Sequence, residues 1–156
     1  MESGPVSLAT EATVEEMRRI STSSNFLGMI EELDLSQNSL SGKIPPSIAN
    51  LKKLSLLSLY YNSLSGTIPE ELFMNQFLQE VYLHGNQLSG SIPFSNSLSG
   101  PIPPEIGNCR LLRWLELDAN QLEGTVPKEL ANLRNLSRLF LFENRLTGEF
   151  PETIYT

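Results

Sequence analysis

Leu54-Ser55-Leu56-Leu57-Ser58-Leu59-Tyr60-Tyr61-Asn62-Ser63-Leu64-Ser65-Gly66-Thr67-Ile68-Pro69 is the stretch that decides the fold. Leu57 and Leu59 alternate with Leu56, Ser58 and Tyr60 at the period of two that a β-strand imposes, so the two leucines share one face and the other three residues share the opposite one. Asn62 ends the alternation. Four positions on, Gly66 tolerates positive φ and close backbone approach, and Ile68-Pro69 buries one apolar side chain while fixing φ for a return path. The signature recurs with its asparagine at Asn38, Asn62, Asn86, Asn96, Asn120 and Asn144. The steps are equal except from Asn86 to Asn96, which is less than half of the others. Five full-length units are therefore expected, interrupted once between Asn86 and Asn96.

A unit this short cannot bury its leucine face alone. Units must stack, their strands must pair side by side in parallel, and Leu33/Leu35, Leu57/Leu59, Val81/Leu83, Leu115/Leu117 and Leu139/Leu141 must merge into one core. The expected fold is an α/β repeat solenoid, with a short-stranded parallel sheet on the concave side and 3-10 or irregular backbone on the convex side. Strands are expected to centre on residues 34, 58, 82, 116 and 140. Asn38, Asn62, Asn86, Asn120 and Asn144 are read as structural: an inward amide can satisfy the donors and acceptors exposed where the backbone leaves the ladder.

These motifs resemble the plant-specific class of leucine-rich repeats, whose Leu-Ser-Gly-x-Ile-Pro segment stands here as Leu40-Ser41-Gly42-Lys43-Ile44-Pro45 and Leu64-Ser65-Gly66-Thr67-Ile68-Pro69. The match covers about residues 30 to 156. Gly100-Pro101-Ile102-Pro103-Pro104-Glu105-Ile106-Gly107-Asn108-Cys109 and Leu139-Phe140-Leu141-Phe142-Glu143-Asn144 are similar to the ectodomains of plant receptor-like kinases, the receptors for endogenous elicitor peptides among them. The resemblance implies an extracellular ligand-sensing solenoid at the plasma membrane, joined through one membrane helix to a cytosolic kinase. The sequence itself shows no glycine-rich nucleotide loop, no His-Arg-Asp catalytic loop, no long apolar run, no signal-peptide pattern at Met1 to Asn25 and no capping cysteine pair. Localisation is not legible from this sequence, and without a membrane span no direct membrane insertion by this chain is expected.

Eighteen acidic against eleven basic residues, a net charge of −7, disfavour nucleic acid and anionic membrane surfaces as partners. Cys109 is the only cysteine and is read as a small inward-facing apolar residue. His84 is the only histidine, without metal-ligand spacing in the chain, so neither a metal nor a cofactor is expected. Asn135-Leu136-Ser137 fits the glycosylation acceptor rule, which makes Asn135 a candidate site, although Leu136 belongs to the core of its coil.

Residues 1–25 read as an N-terminal tail, with Thr13 and Glu16 spaced as a capping box and Val14, Met17 and Ile20 on one face of a short helix. That helix would cover the open end of the first coil; the plainer reading is a loosely ordered tail with a linker at Ser21 to Ser24. The solenoid takes residues 26–156, with an irregular coil at about 91–111. Asn96 has no strand ahead of it, because Ser91 and Pro93 would have to replace the strand leucines and proline cannot donate to an interior ladder. The expected solution runs the ladder straight from Val81/Leu83 to Leu115/Leu117 and pushes the extra residues out on the convex side; the alternative is two short solenoids meeting at an angle. A unit cut to less than half its length is what a deletion within one repeat leaves, and points to a truncated or rearranged receptor gene. A last coil stopping at Thr156 would leave Leu139 and Leu141 uncovered.

Strand residues alternating with the core leucines face the concave side, the usual binding surface of a solenoid. They include Glu32, Asp34 and Ser36; Tyr60 and Tyr61; Tyr82 and His84; Trp114, Glu116 and Asp118; and Arg138, Phe140 and Phe142. Aromatics flanked by carboxylates and arginine make a peptide-binding strip, since aromatics supply large contact area at low entropic cost. Arg138 and Arg145 can take a peptide carboxylate, and Glu116 and Asp118 a basic side chain. The plainer reading is cross-strand packing along the ladder. A glycosidase built on paired carboxylates is disfavoured, because an open strip does not exclude water or fix a reacting bond. The expected function is a non-enzymatic recognition module for a peptide, a protein ligand or a co-receptor ectodomain. The alternatives are a free-standing inhibitor of pathogen cell-wall hydrolases and a truncated product without an independent role.

Overall fold

A computed structural model describes residues 6–7, 13–25, 28–90 and 102–151. The concave sheet holds Glu32–Asp34, Leu56–Ser58, Glu80–Tyr82, Trp114–Glu116 and Arg138–Phe140, paired in parallel in that order. Each strand centres one residue before the expected position. The reason is that the last leucine of each pair is bonded through its N–H to the next coil while its chain already turns outward: Leu59 N–H donates to Tyr82 O at 2.8 Å, beyond the regular ladder. A sixth strand was not foreseen. Val6–Ser7 pairs in parallel with the first coil, Val6 opposite Leu33 and Ser7 opposite Asp34.

The ladder passes without a break from Glu80–Tyr82 to Trp114–Glu116, with Val81 opposite Leu115. The chain therefore forms one continuous solenoid at this point, not two. Of the segment 91–111 expected to be irregular, residues 102–111 belong to an ordinary coil: Ile102 is fully buried, Pro103 caps the 3-10 turn Pro104–Asn108, and this turn stacks between those of the neighbouring coils. Residues 91–101, and with them the bulge and the expectations for Asn96 and Pro93, lie outside the described residues.

The convex side carries one 3-10 turn per coil, at Pro46–Asn50, Glu70–Met74, Pro104–Asn108 and Lys128–Asn132. The Ser-Gly segments, for which no strand was expected, build a second ladder. Ser41–Lys43, Ser63–Gly66 and Gln87–Leu88 form one part and Glu123–Thr125 with Arg145–Thr147 the other, joined by the single bridge Ser89 to Gln121. Among the described residues the bridge from Ser89 to Gln121 is the only ladder link between the two parts.

Leu33, Leu57, Leu59, Val81, Leu83, Leu115 and Leu117 are all completely buried, whereas Leu139 and Leu141 in the last coil are only partly so. Full burial of such a side chain is worth about 1.5–3 kcal/mol, so the core is strongest in the middle coils. Cys109 packs inward as expected, its Sγ donating to Phe73 O and Asn75 O at 3.4 Å each, and burial pushes its thiol up to about 12.

The N-terminal segment does form a helix, Val14–Thr22, and it is docked rather than loose. Thr13 Oγ1 accepts from Glu16 N–H at 3.1 Å, but the reciprocal half of a capping box is replaced by an ion pair from Glu16 to Arg19 at 2.7 Å. Met17 and Ile20 are buried against the first coil. Ser21, read from sequence as linker, is a buried helical residue whose hydroxyl meets Ser47 Oγ at 2.7 Å, and its carbonyl accepts from Asn50 at 3.3 Å. Among the described residues no helix is long and apolar enough to cross a membrane.

Asn62, Asn86, Asn120 and Asn144 each bond two coils at once, whereas Asn38 in the first coil donates to Leu35 O and Ser36 O of its own coil. Asn86 Nδ2 donates to Leu59 O of the preceding coil and Leu83 O of its own, both at 3.0 Å, while its Oδ1 accepts from Leu64 N–H at 3.0 Å. Asn62 also donates to Leu59 O and Asn120 to Leu83 O, so the carbonyls have a second donor, but Leu64 N–H depends on Asn86. Asn86→Ala is expected to lower stability by about 1–3 kcal/mol, the cost of one buried orphaned donor. Urea denaturation of the two proteins measures it, and an unchanged midpoint would refute the assignment.

Candidate functional site

The concave face is assembled by register. With Leu57 opposite Val81 and Val81 opposite Leu115, the outward residues fall into rows: Glu32, Leu56, Glu80, Trp114 and Arg138 in one, and Asp34, Ser58, Tyr82, Glu116 and Phe140 in the next. A third row, just past the strand ends, holds Tyr60, His84, Asp118 and Phe142, aligned by the bonds Tyr61 N–H to His84 O, Gly85 N–H to Asp118 O and Ala119 N–H to Phe142 O.

Along and between these rows the side chains form one connected network. Tyr60 stacks on His84 with ring centroids 4.7 Å apart and planes 5° apart, and Tyr61 meets the same imidazole edge-on at 5.3 Å. His84 Nδ1 lies 3.4 Å from Glu116 Oε2, and Arg138 Nη1 lies 3.5 Å from Glu116 Oε1. The Arg138 guanidinium sits 4.7 Å from the Trp114 ring centre and 5.9 Å from that of Phe140, a cation–π geometry. Trp114 contacts Tyr82 at 6.3 Å, and Phe140 contacts Phe142 at 5.7 Å. Burial, together with the bond Tyr82 donates to Glu80 Oε2 at 2.8 Å and the Glu80 and Glu116 charges, raises the Tyr82 phenol, which stays a neutral donor.

All nine residues singled out on this face thus lie together, Asp118 being buried beside His84 and Glu116. Two details differ from expectation. Arg138 is already engaged by Glu116 and Trp114. Arg145 is not on the strip: it lies in Arg145–Thr147 of the side ladder and pairs with Glu123 at 3.2 Å. Asn135, away from this face, is exposed and its Nδ2 donates to Arg110 O at 2.7 Å.

The sequence reading missed the turn that aims the third row. Gln37, Tyr61, Gly85, Ala119 and Glu143, each directly before a structural asparagine, all adopt φ of +50 to +65°. Only one of the five is glycine, so composition carries no signal for this left-handed step.

The repeats match the Leucine Rich Repeat family over residues 29–51, 53–74, 77–95 and 111–133, together more than half of the chain. The chain belongs to the leucine-rich repeat family. No curated protein sequence matches the chain significantly. Among solved structures, this leucine-rich repeat chain is similar to a TDR receptor, with 32% identity over 83% of this chain and a TM-score of 0.72. It is similar to the Arabidopsis receptor kinase HAESA in complex with the peptide hormone IDA and the co-receptor SERK1, with 36% identity over 81% and a TM-score of 0.71. PEPR1 with AtPEP1 gives 35% identity over 80% and a TM-score of 0.60. The chain spans about a fifth of each of these proteins, 21%, 20% and 20%. Its leucine-rich repeats are built as in these plant receptor-kinase ectodomains.

At Gly85 a Cβ would come within 2.3 Å of Tyr61 Cδ1, at a φ of +65°. Gly85→Ala is therefore expected to displace the Tyr61 ring from His84 and to cost about 1–2 kcal/mol from the left-handed backbone. Loss of near-ultraviolet circular dichroism with a lower thermal midpoint is the expected readout; spectra and midpoint identical to the parent would contradict it.

Proposed function

We propose that this chain is a non-enzymatic recognition module that binds a peptide or protein partner along its concave face, as part of a receptor-kinase-type ectodomain on the outer side of the plasma membrane. The observation that carries the reading is the aromatic network, which ends in rings left open to solvent: Tyr61 is 60% exposed, Phe140 39% and Phe142 55%. Apolar rings held in place by a rigid ladder lose little entropy on contact with a ligand, and aromatic anchors dominate the binding energy of such surfaces. Plain cross-strand packing accounts for Tyr82 against Trp114 but leaves these three rings unexplained.

The neighbours supply the ligand class. HAESA is seen with a peptide hormone and a co-receptor, and PEPR1 with AtPEP1. An extended peptide lying across the strands would meet the three rows in turn, with the Glu116 and Asp118 carboxylates and Arg138 setting polarity. A co-receptor ectodomain would join at the same open side. The strip is shallow and open, a geometry for holding a chain rather than for enclosing a reacting bond. Signalling would then follow from ligand-dependent assembly rather than from chemistry in this chain.

Tyr82 and Trp114 test the reading because they meet across the coil that accommodates the extra residues. With a peptide selected by display against the purified chain, Tyr82→Ala and Trp114→Ala are each expected to weaken binding by about 2 kcal/mol or more. Glu32→Ala, an exposed rim charge, is expected to change it by less than about 1 kcal/mol. Calorimetric titration decides, and equal affinities for all three variants would place the site off the concave face.

A further inference from the structure

We propose that His84, Glu116 and Asp118 form a site for a divalent transition-metal ion, zinc being the ion their donors suit best. This inference does not depend on peptide recognition.

One ligating atom from each of the three residues can be chosen so that all lie within 4.8 Å of one another. His84 Nδ1 and Glu116 Oε2 are 3.4 Å apart. Two donors bound to zinc at about 2.0–2.2 Å and separated by a tetrahedral angle lie about 3.4 Å apart, so this pair already spans one tetrahedral edge.

A second observation is independent of that spacing. Asp118 is only 8% exposed, and its Oδ1 has no hydrogen-bond partner among the described residues; the same holds for His84 Nδ1. A carboxylate oxygen and a ring nitrogen shut away from solvent side by side are costly unless something binds them both. A cation does so.

The surroundings fit this role. The imidazole plane is held by Tyr60 stacked on its face and Tyr61 against its edge, which fixes where Nδ1 points. Arg138 contacts Glu116 through Oε1 and leaves Oε2 toward the histidine, the orienting arrangement that outer-shell partners give to metal-bound carboxylates. Arg138 also offsets one of the two carboxylate charges. One imidazole with two carboxylates is a mixed nitrogen and oxygen set; calcium and magnesium favour six or more oxygens, whereas zinc accepts three protein ligands and keeps a position open. That position would face the concave groove, available to water or to a carboxylate or imidazole of a docked molecule.

The simpler account is that Glu116 bridges His84 and Arg138 with no metal. Titration of the metal-stripped full chain with zinc chloride near neutral pH, followed calorimetrically, separates the two. One zinc per chain is expected, with magnesium and calcium failing to compete at equal concentration, and with cobalt(II) giving the visible absorption of a low-coordinate nitrogen and oxygen site. His84→Ala and the nearly isosteric Asp118→Asn are each expected to weaken zinc binding at least about tenfold, as much as losing even an outer-shell partner costs. Glu32→Gln is expected to leave it unchanged. Circular dichroism checks folding; should His84→Ala not fold, Asp118→Asn carries the test. No stoichiometric uptake, or uptake that Asp118→Asn leaves intact, would overturn the proposal.

Discussion

The constraint on which the rest depends is the asparagine amide that ends the strands, buried at Asn86 and Asn120 and half-buried at Asn62 and Asn144. Where the chain leaves the concave ladder it exposes carbonyls at positions such as Leu59 and Leu83 and an N–H at Leu64 or Leu88, inside a stack that admits no room for bulk solvent. One asparagine has the two donors and one acceptor to answer them, and it does so across two coils: Asn120 donates to Leu83 O and Leu117 O and accepts from Leu88 N–H, all between 3.0 and 3.1 Å. Asn62 and Asn144 repeat the pattern. Leucine burial drives the stacking, but it is not directional. The asparagines fix the register at which coils stack.

Register in turn creates the concave surface. Tyr60 and His84 stand one repeat apart in the chain and stack face to face because one coil separates them. Across the interrupted region the same relation takes a longer stretch of chain: Asn120 bonds to Leu88 N–H as Asn86 bonds to Leu64 N–H. Because the ladder and the asparagine bonds pass this point in register, Glu116 arrives beside His84, and Trp114 beside Tyr82. The side ladder is tied in by the same amides, through Leu64 N–H and Leu88 N–H, and among the described residues it crosses this point by the bridge from Ser89 to Gln121.

Much of this was legible because the repeat speaks with two periods at once, a short one along each strand and a long one from coil to coil. Leu57/Leu59, Asn62 and Ile68-Pro69 each identify a structural role by position, and alternation alone assigned Tyr82, Trp114 and Phe140 to the outer face. What was not legible lacked a periodic mark. Val6–Ser7 adds a strand through backbone bonds that ask little of side chains. The left-handed residue before each asparagine is Gln, Tyr, Gly, Ala or Glu, imposed by the turn rather than chosen by propensity. The docking of Val14–Thr22 adds to the buried Met17 and Ile20 a bond between Ser47 and Ser21, a hydroxyl that in sequence resembles a linker. His84 is separated from Glu116 and Asp118 by the whole interrupted coil, so no local spacing rule could gather the three before the path through the interruption was known.

The central claim is that the asparagine amides, not the strand ladder alone, hold neighbouring coils together. Amide hydrogen exchange at Leu64 and Leu88 tests it most directly, since each N–H donates to a single asparagine Oδ1 of the following coil. Exchange at both sites is expected to be as slow as at Leu57 in the strand, and to accelerate at Leu64, with Leu88 still protected, when Asn86 is replaced by alanine. Rapid exchange at Leu64 and Leu88 in the unmodified protein, at the rate of exposed turn amides, would contradict the account.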